Sequence, residues 1–168
     1  MLSQKNILFF RKFNTFTMKR ITSLLLILAS FSSFLMAQTS AGDKIVGVYL
    51  TAKKTSQVRI FQATDNKYYG KLAWMKNDKE RKDTLNPDSK LKTQKLFGML
   101  LLNGLEYNAK SKQWENGTVY DPDNGKTYSC YLWFDEKDPS ILHLKGYILG
   151  MRFIGRESDW IKEAKLRD

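Results

Sequence analysis

Residues 112–135, KQWENGTVYDPDNGKTYSCYLWFD, decide how this chain is to be read. In the second half of the stretch Tyr128, Cys130, Leu132 and Phe134 fall on one side, opposite Thr127 and Ser129. Alternation of period two sends successive side chains to opposite faces of a strand, where a helix would need a period near 3.6. Between this run and the one over 112–120 stands Asp121-Pro122-Asp123-Asn124-Gly125, residues that supply the fixed φ, the side-chain-to-backbone bonds and the positive φ of a tight turn. The spacing predicts a β-hairpin with an aromatic, apolar inner face.

Working outward, the same period recurs through the rest of the chain from Gly42, in residues that are heavily β-branched or aromatic. It predicts strands over 45–52, 56–63, 67–76, 96–106, 112–120, 126–135, 140–148 and 151–162. On the third, Tyr68, Gly70, Leu72 and Trp74 share a face opposite Lys71; on the seventh, Leu142, Leu144 and Ile148 oppose His143 and Lys145. Most connections are hairpin-short, so the chain reads as an all-β meander. Eight such strands are enough to close an antiparallel up-and-down barrel that is either filled or holds one small ligand. The exception is 77–95, a long lysine-rich connection containing Asn86-Pro87. It reads either as a lid offering Lys76, Lys79, Arg81 and Lys82 to an anionic head group or as a solvated Ω-loop.

The first 37 residues have different chemistry. From Met18 they run through Lys19-Arg20 into the apolar segment Leu24–Ala29 and end on the small residue Ala37, the grammar of a signal peptide. Residues 1–37 therefore read as leader and signal, with Met18 as a natural start and 1–17 as a basic extension or an upstream start. Residues 38–168 read as one β-barrel domain, periplasmic or secreted, with no transmembrane anchor in the mature form, because the apolar run is shorter than a bilayer span. Five of the 28 bases lie in the leader and none of the 17 acids does, which leaves the domain at +6. That balance suits an anionic lipid-like ligand or simply a soluble surface. With Cys130 as its one cysteine, the chain can form no intrachain disulfide.

Catalytic machinery is sparse. The single histidine, His143, lies on the face of Lys145, where an exposed strand residue is expected more than a base. One histidine and one cysteine do not make a zinc site, and Asp121, Asp123 and Asn124 lack the later bidentate glutamate of a calcium loop. Neither a catalytic residue, a metal nor a cofactor is assigned. Export and the lack of a helix-turn-helix or finger pattern argue against nucleic acid.

Several stretches together resemble a bacterial family of small exported proteins known as domain of unknown function 2147. They are Tyr69–Trp74, Asp83–Asp88, Leu96–Leu101, Trp114–Tyr128, Lys145-Gly146-Tyr147, and Gly155-Arg156 with Trp160. The resemblance implies export and a calycin-type, lipocalin-like barrel, and it brings no established ligand, partner or catalytic residue. In lipocalins a Gly-x-Trp near the start packs beside an arginine of the last strand. The corresponding expectation here is that Gly47 and Tyr49 meet Arg156 to close the base, with Arg152 on the same face. The interior expected to take a small amphipathic or hydrophobic ligand is Tyr68, Leu72, Trp74, Tyr128, Leu132 and Phe134. The alternative is a solid barrel that binds an envelope protein or the cell wall through outward aromatics such as Tyr131, Trp133 and Tyr147.

Overall fold

The computed structural model describes residues 40–168; the proposed leader lies outside them. A short 3₁₀ helix, η1 (Ala41–Ile45), is followed by eight strands: β1 (Gly47–Leu50), β2 (Ser56–Gln62), β3 (Tyr68–Met75), β4 (Leu100–Asn108), β5 (Gln113–Asp121), β6 (Lys126–Phe134), β7 (Ile141–Tyr147) and β8 (Gly155–Glu163). Each strand pairs antiparallel with the next, and β1 pairs with β8 to close the barrel. Closure leaves no sheet edge for another chain to extend. Every strand has two neighbours and the core is drawn from residues 45–160.

The up-and-down order puts the connections 51–55, 76–99, 122–125 and 148–154 at one end, here the loop end. The other end is closed by η1. Ser40 starts that helix through a reciprocal cap: its hydroxyl accepts from Gly42 N at 3.2 Å, and Asp43 Oδ2 accepts from Ser40 N at 2.8 Å. Three barrel side chains then hold η1 in place. Trp114 Nε1 donates to Gly42 O at 3.0 Å, Tyr68 OH to Asp43 Oδ1 at 2.7 Å, and Tyr49 OH to Ile45 O at 2.8 Å. Position 42 must be glycine, because a Cβ would lie 2.5 Å from the Tyr68 hydroxyl and 2.8 Å from Tyr107 Cβ. Ile45 completes the plug, fully buried against the core.

The inward alternation expected on β3 holds for Tyr68, Gly70 and Leu72 and then breaks. Val58 pairs with Leu72 but Gln57 pairs with Trp74, so β3 carries one extra residue, Ala73. A bulge of this kind turns the following side chain to the other face. Trp74 accordingly stands with Gln57 on the outside of the barrel, absent from the core cluster. The C-terminal segment covers both. Trp74 Nε1 donates to Asp168 O at 2.7 Å, Arg167 N donates to Gln57 Oε1 at 2.8 Å, and Gln57 Nε2 reaches Glu163 and Lys165 O. Trp74 thus belongs to an outer strap, not to the interior expected from period two. Ile148, expected inward, instead lies in the last connection and is half exposed.

Candidate functional site

The expected base closure is made by a different cation. Register places Tyr49 opposite Lys162 and Gly146 opposite Arg156, so Arg156 is remote from Gly47 and Tyr49. The Lys162 ammonium lies 5.8 Å from the centroids of both Tyr49 and Phe134, and it donates to Lys44 O at 2.9 Å at the end of η1. Gly47 allows this approach, since a Cβ there would stand 3.1 Å from Lys162 Cε. Partial burial holds the Lys162 amine below its ordinary pKa, which is the desolvation effect expected for a cation packed on rings. The physical reason for the shift from arginine to lysine is stagger: closing eight tilted strands offsets β1 along β8.

Of the six residues expected to line one cavity, Tyr68, Leu72 and Leu132 share one core cluster with Phe134 packed against it, whereas Trp74 and Tyr128 stand apart from it. Tyr68, Leu132 and Phe134 belong to the plugged base. Phe134 packs edge-on against Trp114 at 5.5 Å with the Lys44 ammonium 5.5 Å from its ring, and Tyr107 lies 4.9 Å from Trp114 on another side. Burial and the Asp43 bond push the Tyr68 hydroxyl up to about 12, so it stays a donor at any ordinary pH. Leu72 and Tyr128 lie nearer the loop end, and Trp74 is outside. Of the three polar tips among the six, the Tyr68 hydroxyl holds η1, the Trp74 indole bonds the C-terminal segment, and the Tyr128 hydroxyl bonds Asn124 of the 122–125 turn.

Toward the loop end the interior changes character. Val119 of β5 and Tyr128 of β6 are paired in register and only half-buried, in contrast to the sealed side chains below them. Beside them Gly146 of β7 has no side chain, and even an added Cβ would only reach ordinary contact, 3.5 Å from Tyr128 Cβ and 3.6 Å from Val119 Cγ1. Tyr128 OH accepts from Asn124 Nδ2 at 3.0 Å, which fixes a hydroxyl at the rim. Leu72 and Met75, toward the same end of β3, belong to the core cluster against which Val119 packs. This small set, an apolar wall with a phenol and an amide at its edge, has the chemistry of a site for an amphipathic molecule. Tyr128 and Leu72 were legible from alternation; Val119, Met75 and Gly146 were not, because nothing local in sequence distinguishes the two ends of a strand.

The long connection is ordered rather than loose. It folds back on itself, with Asp83 N donating to Gln94 O at 2.9 Å and Leu96 N to Arg81 O at 2.9 Å. Leu96 is buried in the core cluster. A polar knot ties it to the barrel: the buried Asp83 carboxylate accepts from Tyr120 OH at 2.7 Å and from Asn86 Nδ2 at 2.6 Å. Burial, followed by the Asp83 bond, pushes the Tyr120 hydroxyl up to about 12. Gly125, at φ +68°, sits so close to Leu85 that a Cβ would collide with its carbonyl. Of the four cations expected to face a ligand, Arg81 is already paired with Asp123, at 2.8 Å, and Lys53 joins the same carboxylate at 2.5 Å. Asp121 and Asn124 bond each other and the turn backbone, and among the described residues no group of metal-ligating side chains converges.

On the outer face Arg152, Tyr131, Trp133 and His143 form one stacked column, with spacings of 4.0, 5.2 and 5.0 Å. Arg152 is itself held by Glu115 at 2.9 Å and Gln113 at 2.8 Å. His143 is clamped by Asp159 at 2.8 Å and Asp135 at 3.2 Å. Partial burial pulls its pKa down, but the two carboxylates outweigh it and the net shift is upward. Because these rings stack on one another, their faces are occupied within the protein. Cys130 is buried, and desolvation raises its thiol to about 12, which leaves it unreactive as a thiolate.

A family model described as "Uncharacterized protein conserved in bacteria (DUF2147)" matches residues 47–162, from the first residue of β1 almost to the end of β8. Among solved structures, a protein from the human pathogen Helicobacter pylori, described as belonging to the lipocalin family, superposes with a TM-score of 0.63 at 22% identity, covering 72% of this chain and 84% of that one. At that identity the likeness is one of fold. No curated protein matches the chain.

Proposed function

The chain belongs to the bacterial DUF2147 family and has its lipocalin-like barrel, and from that premise we propose that it is an exported carrier of one small amphipathic or hydrophobic ligand, taken in at the loop end. The observation that carries this reading is the contrast along the barrel axis: η1 seals one end, while the interior toward the other keeps Val119 and Tyr128 half-buried beside the missing side chain of Gly146. An apolar tail would lie over Leu72, Met75 and Val119, and a polar end would meet the Tyr128 hydroxyl and the Asn124 amide.

The test is titration of residues 39–168 with a long-chain fluorescent polyene fatty acid, alongside native mass spectrometry before and after denaturation. Binding should saturate at one molecule per chain, and Gly146→Leu, which fills the space, should weaken it by about tenfold or more, the equivalent of ~1.4 kcal/mol. Saturable binding that Gly146→Leu leaves unchanged, or none at all, would overturn the site. The export reading predicts that protein recovered from the bacterial periplasm or medium begins at Gln38.

A second reading, docking of an envelope protein or the cell wall on a solid barrel, is favoured by the contiguous outer column of Tyr131, Trp133 and His143. It ranks below the first because those ring faces are already covered.

A further inference from the structure

Two surface properties collect at the same end of the molecule. Among the described residues, ten large apolar side chains are substantially exposed: Val46 and Ile161, and eight others that all lie on the loop-end connections or at the first residue of β4. The densest group is 148–154, where Leu149 is 84% and Phe153 79% exposed and Ile148 and Ile154 are about half exposed. Charge is sorted in the same way. The four loop-end connections carry ten bases against five acids, whereas the rest of the chain from Ser40 carries thirteen against twelve. Nearly all of the domain's excess positive charge therefore lies at the end that also exposes its apolar side chains.

The geometry of 148–154 shows that this exposure is built in. Met151 N donates to Ile148 O at 3.0 Å, closing a turn whose central residues, Leu149 and Gly150, have φ of +54° and +72°. Such a turn ordinarily takes asparagine or aspartate before glycine, because a bulky side chain at positive φ is strained. The other non-glycine residues at positive φ among those described are Lys54, Asn66, Asp78, Lys112 and Asn116, all polar. Leucine at this tip is thus at odds with both solubility and local backbone preference. Arg152 anchors the same connection to the barrel through Glu115, Gln113 and Tyr131, so the apolar side chains are held out on a fixed base.

We propose that the loop end docks on an anionic phospholipid bilayer, with Leu149 and Phe153 entering the interfacial region and the lysines of the other connections at that end meeting lipid phosphates. Exposed apolar side chains at an end that also carries the net positive charge fit the two components of such a surface: burial of apolar area and attraction to negative head groups. A protein partner would need acidic and apolar groups interleaved in one matching pattern, whereas an anionic bilayer presents both everywhere. The orientation also turns the half-open interior toward the lipid, although docking does not depend on a ligand being carried.

Cosedimentation of residues 39–168 with vesicles of phosphatidylglycerol and phosphatidylcholine, against vesicles of phosphatidylcholine alone, tests this. Binding to the anionic vesicles should exceed that to the neutral ones by about tenfold or more and weaken as salt is raised. Leu149→Ser with Phe153→Ser should reduce it by about tenfold or more, and Lys79→Glu with Lys90→Glu and Lys92→Glu should remove the preference for anionic lipid. The melting temperatures of these variants should match the parent, since all five side chains are exposed; Phe153→Ala serves as a milder check. The proposal is overturned if the parent ignores anionic vesicles, binds neutral ones equally well, or binds unchanged without its two apolar tips. A concentration-dependent dimer abolished by the tip substitutions, with no vesicle binding, would likewise overturn it and give the surface to a second copy of the chain. Fatty-acid titration of the same variants separates the two readings: they should still bind the probe, whereas Gly146→Leu should still bind vesicles.

Discussion

At the plugged end of the barrel the polar tips of the aromatics are engaged with protein: Tyr49, Tyr68 and Trp114 each donate to η1, and Lys162 lies over Tyr49 and Phe134 while bonding the end of that helix. At the loop end the same residue types are left partly open: Tyr128 is half-buried, Leu149 and Phe153 face solvent, and the lysines outnumber their partners. One strand repeat thus gives two environments, because what covers a strand end is decided by the segment that folds over it. The difference teaches that the two ends of one barrel can differ in how far their side chains are already satisfied within the protein.

Substitutions at the two ends should therefore behave differently. Trp114→Ala, which empties the base and frees Gly42 O, should cost about 3–5 kcal/mol in urea unfolding, whereas Leu149→Ser should change stability by less than about 0.5 kcal/mol. Comparable costs for the two would erase the distinction. Tyr120→Phe leaves the buried Asp83 carboxylate with one donor fewer and should cost about 1–3 kcal/mol. Its signature is local: hydrogen exchange should quicken in 76–99 ahead of the strands, and uniform quickening would mean that the long connection is part of the global unit.

Smaller effects sharpen the closure of the base. Lys162→Ala should lower stability by about 1 kcal/mol through its lost packing on Tyr49 and Phe134, while Arg156→Ala should stay within about 0.5 kcal/mol. A reversed order in melting temperature would restore the arginine to the closing role. The smallest effect is the pH dependence from His143. Its folded pKa lies above the unfolded value of about 6.5, so its contribution is complete below that value and is lost as pH rises through the folded one. Urea midpoints should decline from about pH 6.5 upward, and His143→Gln should flatten that decline; an unchanged slope would remove the histidine from the balance.

The legibility of the chain follows the same division. The hairpin at 112–135 and its neighbours were readable because alternation is a local property, and β2, β3, β5, β6 and β7 begin and end within one residue of their expected limits. The last strand starts at Gly155 rather than near 151, because apolar residues 148–154 continue a strand-like composition through what is a turn exposed to solvent. For the site, alternation found Tyr128 and Leu72 but also assigned Trp74 inward, since one inserted residue at Ala73 reverses the faces without any mark in the hydrophobic pattern.

What the sequence determined by itself is the repeating element and its number: eight amphipathic strands, joined mostly by short turns, with one long polar connection and no disulfide to hold them. Only the tertiary structure decided which end is sealed, which cation closes the base, which face Trp74 takes, and where the net charge and the exposed apolar side chains come together. These depend on strand stagger and on contacts between residues such as Trp114 and Gly42 or Gln57 and Arg167, far apart in the chain. A period of two fixes the direction of a side chain relative to its neighbours; the barrel's closure fixes what that side chain meets.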